Sequence, residues 1–102
     1  MKLRDIAHSR SGDKGSTANI SVIAYRAEDY PYLERHITAE RVKAHFGPIL
    51  KGEVARYVLP KIGALNFVLQ EALGGGVTRS LALDPHGKSL SSAILEMEIP
   101  DR

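Results

Sequence analysis

A chain of 102 residues, 43% hydrophobic and 25% charged, holds one folded domain over residues 1–102 with a core of its own, and is too short for a second. Its formal charge of +2 comes from basic residues dispersed among acidic ones, which lacks the concentrated positive face that phosphate-backbone binding needs and sets nucleic acid aside as a partner. The absence of cysteine removes disulfides, thiolate nucleophiles, iron–sulfur clusters and cysteine zinc sites together.

The opening MKLRDIAHS lacks the apolar core of a signal peptide, and no later apolar run approaches the ~20 residues of a membrane span. The expectation is a cytoplasmic chain with no membrane partner. Lys2 to His8 reads as a weak strand, because Leu3, Ile6 and Ala7 do not alternate cleanly. ANISVIAY is stronger: Ile20, Val22 and Ala24 share one face, and Asn19, Ser21, Ile23 and Tyr25 the other. The stretch between them, HSRSGDKGSTANI, then reads as the loop of a hairpin.

A helical region starts near Asp29 or Tyr30, with Pro31 in the first turn where its missing N–H does no harm. Leu33 and Ile37 are four apart, as are Val42 and Phe46, but the step of five between the pairs rotates the apolar face. Thr38 therefore caps a second short helix, AERVKAHF, which Gly47-Pro48 ends. EVARYVLP alternates as a third strand stopped by Pro60. Leu65, Val68, Leu69, Ala72 and Leu73 follow helical spacing and predict a helix closed by Gly74, with Asn66 and Gln70 one turn apart on its polar side. VTRSLALDPHG reads as a fourth strand, with Arg79 among Val77, Leu81 and Leu83, followed by a turn at Asp84-Pro85-His86-Gly87. Leu90, Ala93, Ile94 and Met97 have helical spacing, while LEMEI alternates, so residues 95–99 read as either helix or strand. These elements predict an α+β fold close to the ferredoxin-like two-layer sandwich: a four-stranded, mostly antiparallel sheet with helices on one face.

Two glycine clusters are the candidate sites. In SRSGDKGSTAN, Gly12 and Gly15 permit backbone N–H groups to converge on an anion, with Arg10, Lys14 and the hydroxyls as further donors. It is not a Walker motif, since Lys14 precedes Gly15 and a strand follows. A turn built from turn-forming residues explains the same stretch. In LGGGVTRS, Gly74 alone suffices to stop a helix, which leaves Gly75 and Gly76 for close approach to a ligand, another segment or a neighbouring subunit, beside Arg79. Histidines 8, 36, 45 and 86 show no paired metal-ligand spacing, no serine sits in a nucleophile elbow, and no cofactor is called for. Asp13 as a general base would be weakened by Lys14 or Arg10 nearby.

RSGDKGSTANISVIA, ITAERVKAHF and LPKIGALNFVLQEALGGGVTRSLALDPHGKSL, in that order, resemble the small C-terminal domain of proteins related to the acyclic terpene utilisation protein AtuA. The resemblance covers nearly the whole chain. It implies a ferredoxin-like α/β fold and a link to bacterial breakdown of citronellol, geraniol and related branched acids as CoA thioesters. Ser11, Gly12, Asp13, Lys14, Gly15 and Asn19 match the first motif, and Asn66, Gly74, Gly75, Gly76 and Arg79 the second. In those proteins the domain follows a much larger region, so the expectation here is a stand-alone accessory or binding subunit. Its glycine loops would contact a separately encoded large AtuA-like chain or an anionic small molecule. Two alternatives stand beside it: a small enzyme acting on an acyl-CoA or carboxylate through Asp13 and Lys14, and a homo-oligomeric structural module joined by sheets or edge strands.

Overall fold

The computed structural model describes residues 1–14, 17–47, 50, 52–70 and 89–101. In chain order they form strands β1 (Ala7–Lys14) and β2 (Thr17–Ala24), helices α1 (Tyr30–His36) and α2 (Ala39–Phe46), strands β3 (Val54–Leu59) and β4 (Ala64–Leu69), and helix α3 (Ser89–Leu95). The strands make one antiparallel sheet in the order β1-β2-β4-β3. The fold is the expected α+β arrangement of a four-stranded antiparallel sheet with helices. No helix among the described residues is long and apolar enough to cross a membrane.

Burial explains the layering. Ala18, Ile20 and Val22 of β2 and Leu65, Phe67 and Leu69 of β4 are cross-strand partners, so they point to one side and form the floor of the core. Over that floor α1 buries Tyr30 and Leu33, α2 buries Val42 and Phe46, and α3 buries Leu90 and Ile94. Each of the last two helices shows an apolar pair four residues apart, the spacing that places side chains on one helical face. Pro31 lies in the first turn of α1 as expected. The Thr38 hydroxyl accepts the Arg41 N–H at 3.1 Å and caps α2. Gly47 ends that helix at φ 61°, ψ −136°, a conformation open to residues without Cβ.

Three expectations need correction. Lys2 to His8 is not one strand: Leu3–Asp5 is a 3-10 turn, and Lys2 pairs instead with Glu98 in an isolated antiparallel bridge. Leu3, Ile6 and Ala7 are all buried, a pattern that no alternating strand produces. The strand begins at Ala7 and absorbs the expected loop, because the ladder runs without a break from Ala7↔Ala24 to Lys14↔Thr17. Residues Ser9 to Lys14 are therefore strand.

The third correction concerns the helix expected from Leu65. Ala64–Leu69 is a strand, held between β2 and β3. Leu65, Phe67 and Leu69 are fully buried on one side, while Asn66 and Val68 are half-buried on the other, a period of two. A short apolar run satisfies both periods, and the two neighbouring ladders decide, because they supply backbone partners on both sides. The Gln70 N–H continues the ladder by donating to Glu53 O at 3.0 Å, so Asn66 and Gln70 do not share a helical face. The Gly74 stop, the strand from Val77 with Arg79, and the turn at residues 84–87 lie outside the described residues.

The end of the chain combines both readings. Helix α3 stops at Leu95, and the following residues extend, with Met97 and Ile99 buried and Glu98 bridged to Lys2. Gly52 answers a demand the sequence did not announce: a Cβ there would lie 2.3 Å from the Gln70 carbonyl oxygen. Only hydrogen fits at that position.

Candidate binding face

The side of the sheet turned away from the helices carries rows of residues joined by cross-strand pairing. One row runs Arg10–Ser21–Asn66–Tyr57 across all four strands, and the next runs Gly12–Asn19–Val68–Ala55. Antiparallel partners point to the same face, so these rows are fixed by register. Ser21 Oγ donates to Asn66 Oδ1 at 3.2 Å. That bond occupies the amide oxygen of Asn66 and leaves its NH₂ as a donor. Gly12 lies open to solvent opposite the exposed Asn19, and a Cβ at Gly12 would come within 3.2 Å of Asn19 Oδ1. The Asn19 amide oxygen thus lies close over Gly12, an approach that the missing side chain permits.

The electrostatics of this face are one-sided. Its strand positions, 8, 10, 12 and 14 on β1, 17, 19, 21 and 23 on β2, 64, 66 and 68 on β4, and 55, 57 and 59 on β3, include no acidic residue. His8 and Arg10 are the basic residues among its described side chains. Arg10 is exposed, and none of the salt bridges or side-chain hydrogen bonds among the described residues engages it. At the margin the His8 and Tyr25 rings stack with centroids 5.2 Å apart.

The face gathers residues from both expected motifs. Gly12 and Asn19 from the first are paired directly, and Asn66 from the second lies in the neighbouring row. Ser11 is paired with Ile20, which puts it on the helix-facing side, away from this set. The backbones of Asp13 and Lys14 are ladder positions paired with Ala18 and Thr17. Gly15, Gly74, Gly75, Gly76 and Arg79 lie outside the described residues.

Residues 1–100 match the family model of the AtuA ferredoxin-like domain. The chain belongs to that family. No curated protein and no solved structure matches it. Membership as an AtuA ferredoxin-like domain associates the chain with AtuA-like systems, and the geometry locates its polar surface.

In this AtuA ferredoxin-like domain two contributors, Ser21 and Tyr57, were not among the candidates read from the sequence. Ser21 stands in an ordinary alternating strand, and its importance appears only when the register sets it between Arg10 and Asn66. Arg10, expected as a donor in a loop, stands instead on strand β1. Chemically the set offers a guanidinium and amide N–H donors, which suit a carboxylate or phosphate oxygen. Among the described residues no group of three or more His, Asp or Glu side chains comes together to hold a metal. The His45 ring nitrogen instead contacts the Ala93 carbonyl at 2.6 Å, and His36 packs on Tyr32.

Proposed function

We propose that this domain is a binding module of an AtuA-like system, acting in the breakdown of acyclic terpenes and related branched acids as CoA thioesters. The sheet face turned away from the described helices receives the anionic part of the ligand. The observation that carries this reading is the register: it joins Gly12, Asn19 and Asn66, drawn from two motifs far apart in sequence, with Arg10 and Ser21 in rows that contain no acidic residue. Arg10 supplies charge and a planar donor pair, Asn66 and Asn19 supply neutral donors, and Ser21 holds the Asn66 amide in one orientation. Because the donors stand on paired strands, little ordering is required when a ligand arrives.

Amide NMR spectra of the full chain, titrated with the CoA thioester of citronellic acid, test this reading. Shifts confined to Arg10, Gly12, Asn19, Ser21 and Asn66 are expected. Parallel titrations with free CoA and with citronellate assign the anion to the phosphates or to the carboxylate. Saturable shifts on α1 and α2 instead would overturn the proposal.

A further inference from the structure

Strand β3 is an edge of the sheet, and among the described residues no strand pairs with its outer side. The hydrogen-bond phase tells which backbone groups it exposes. Gln70 N–H donates to Glu53 O, so the pair 53–70 is a bonded pair, as are 55–68, 57–66 and 59–64 along the same register. Val54, Arg56 and Val58 therefore turn their N–H and C=O groups outward.

The two edges of the sheet differ. Strand β1, AHSRSGDK, is interrupted by charge, as solvent-facing edges commonly are. Strand β3, VARYVL, has one charge, and the Arg56 guanidinium is already engaged, donating to Glu34 O at 2.6 Å and Ile37 O at 3.1 Å. Tyr57 is 55%, Val58 44%, Leu59 40% and Ile62 67% exposed, and an open apolar groove of about 290 Å³ runs along Val58 to Ile62. An apolar edge of this kind is a template for strand pairing.

We infer that β3 pairs with β3 of a second copy, antiparallel across a twofold axis, to form a continuous eight-stranded sheet. The strand is complementary to itself under that operation. An axis perpendicular to the sheet keeps the helices of both copies on one side, so paired residues must differ by an even number. Centring on Arg56 would set two guanidinium-bearing residues directly opposite, which is unfavourable. Centring on Tyr57 pairs Arg56 with Val58 of the other copy and Val58 with its Arg56, both of them outward-bonding residues. Tyr57 then faces its equivalent in a non-hydrogen-bonded pair, where Cα atoms approach to about 4.5 Å. The ladder ends at Pro60, which has no N–H to lose. This inference stands on the β3 edge and is independent of the ligand assigned to the open face.

Light scattering coupled to gel filtration tests it on the full chain. Wild type is expected at the mass of two chains. Val58→Pro removes an outward N–H that no intrachain bond uses, and is expected at the mass of one chain with an unchanged circular dichroism spectrum. Tyr57→Cys, in a chain without other cysteines, is expected to form an intermolecular disulfide at least 10-fold faster than the exposed Arg26→Cys control. Wild type at one-chain mass throughout the micromolar range, whatever other protein it binds, overturns the inference. So does a folded Val58→Pro that stays dimeric; should that variant fail to fold, equal disulfide rates for Tyr57→Cys and Arg26→Cys overturn it instead.

Discussion

Ser21 and Asn66 meet across the two central strands, the serine hydroxyl donating to the asparagine amide oxygen at 3.2 Å. The residues are 45 apart in sequence, and the bond links the strand that carries Asn19 to Asn66 of the second motif. Both are half-buried, so the bond is worth about 0.5–1.5 kcal/mol. A double-mutant cycle of Ser21→Ala and Asn66→Ala, followed by urea unfolding, is expected to show coupling of roughly 0.5–1 kcal/mol. Strict additivity would show that the bond does not orient the amide.

Arg56 closes the C-terminal end of α1. Its guanidinium reaches the Glu34 and Ile37 carbonyls from β3, and a cation there also suits the negative end of the helix. Arg56→Ala is expected to cost about 1–2 kcal/mol, which lowers the melting temperature by roughly 4–15 °C in a domain of this size. Arg56→Lys should recover only part, because one ammonium replaces a planar fork. Thermal melts of the three chains decide the point; an unchanged melting temperature in Arg56→Ala would show the contact to be idle.

Tyr30 contributes to the alkaline limb of stability. Burial first, and then its hydrogen bond of 2.7 Å to Glu34 Oε1 with that carboxylate's charge, push the phenol up to about 12 from 10.0, while Arg56 pulls slightly the other way. The folded state thus holds the Tyr30 proton more tightly than the unfolded chain does. Its contribution is complete below pH 10 and declines as pH rises toward 12. Urea midpoints measured from pH 9 to 12 should fall less steeply in Tyr30→Phe than in wild type. Parallel curves for the two proteins would contradict the assignment.

The helical region was legible in detail because its signals are local. Pro31 at a first turn, Thr38 as a cap and Gly47 as a stop each act within a few residues, and α1 and α2 form where those residues direct. The sheet was legible in outline only. Leu65, Val68 and Leu69 fit a helix as well as a strand, and the choice rests on β2 and β3, which reach β4 from elsewhere in the chain. The same non-local cause hid the candidate face. Gly12, Asn19 and Asn66 were visible as motif residues, yet Gly12 was read into a loop and Asn66 onto a helix. Their common face follows from register, and register also recruits Ser21 and moves Ser11 away. Gly52 shows the limit from another side, since its demand comes from the Gln70 backbone and not from any turn of its own.

The most direct test of the binding face is isothermal titration of the full chain with the CoA thioester of citronellic acid, comparing wild type with Arg10→Ala and Asn66→Ala. Arg10 is exposed and Asn66 half-buried, so Arg10→Ala in particular should keep its melting temperature. The account predicts saturable binding by wild type and at least a 10-fold loss in Arg10→Ala, equivalent to about 1.4 kcal/mol, with a smaller loss in Asn66→Ala. Equal affinity in wild type and Arg10→Ala, or no binding by wild type, would contradict it.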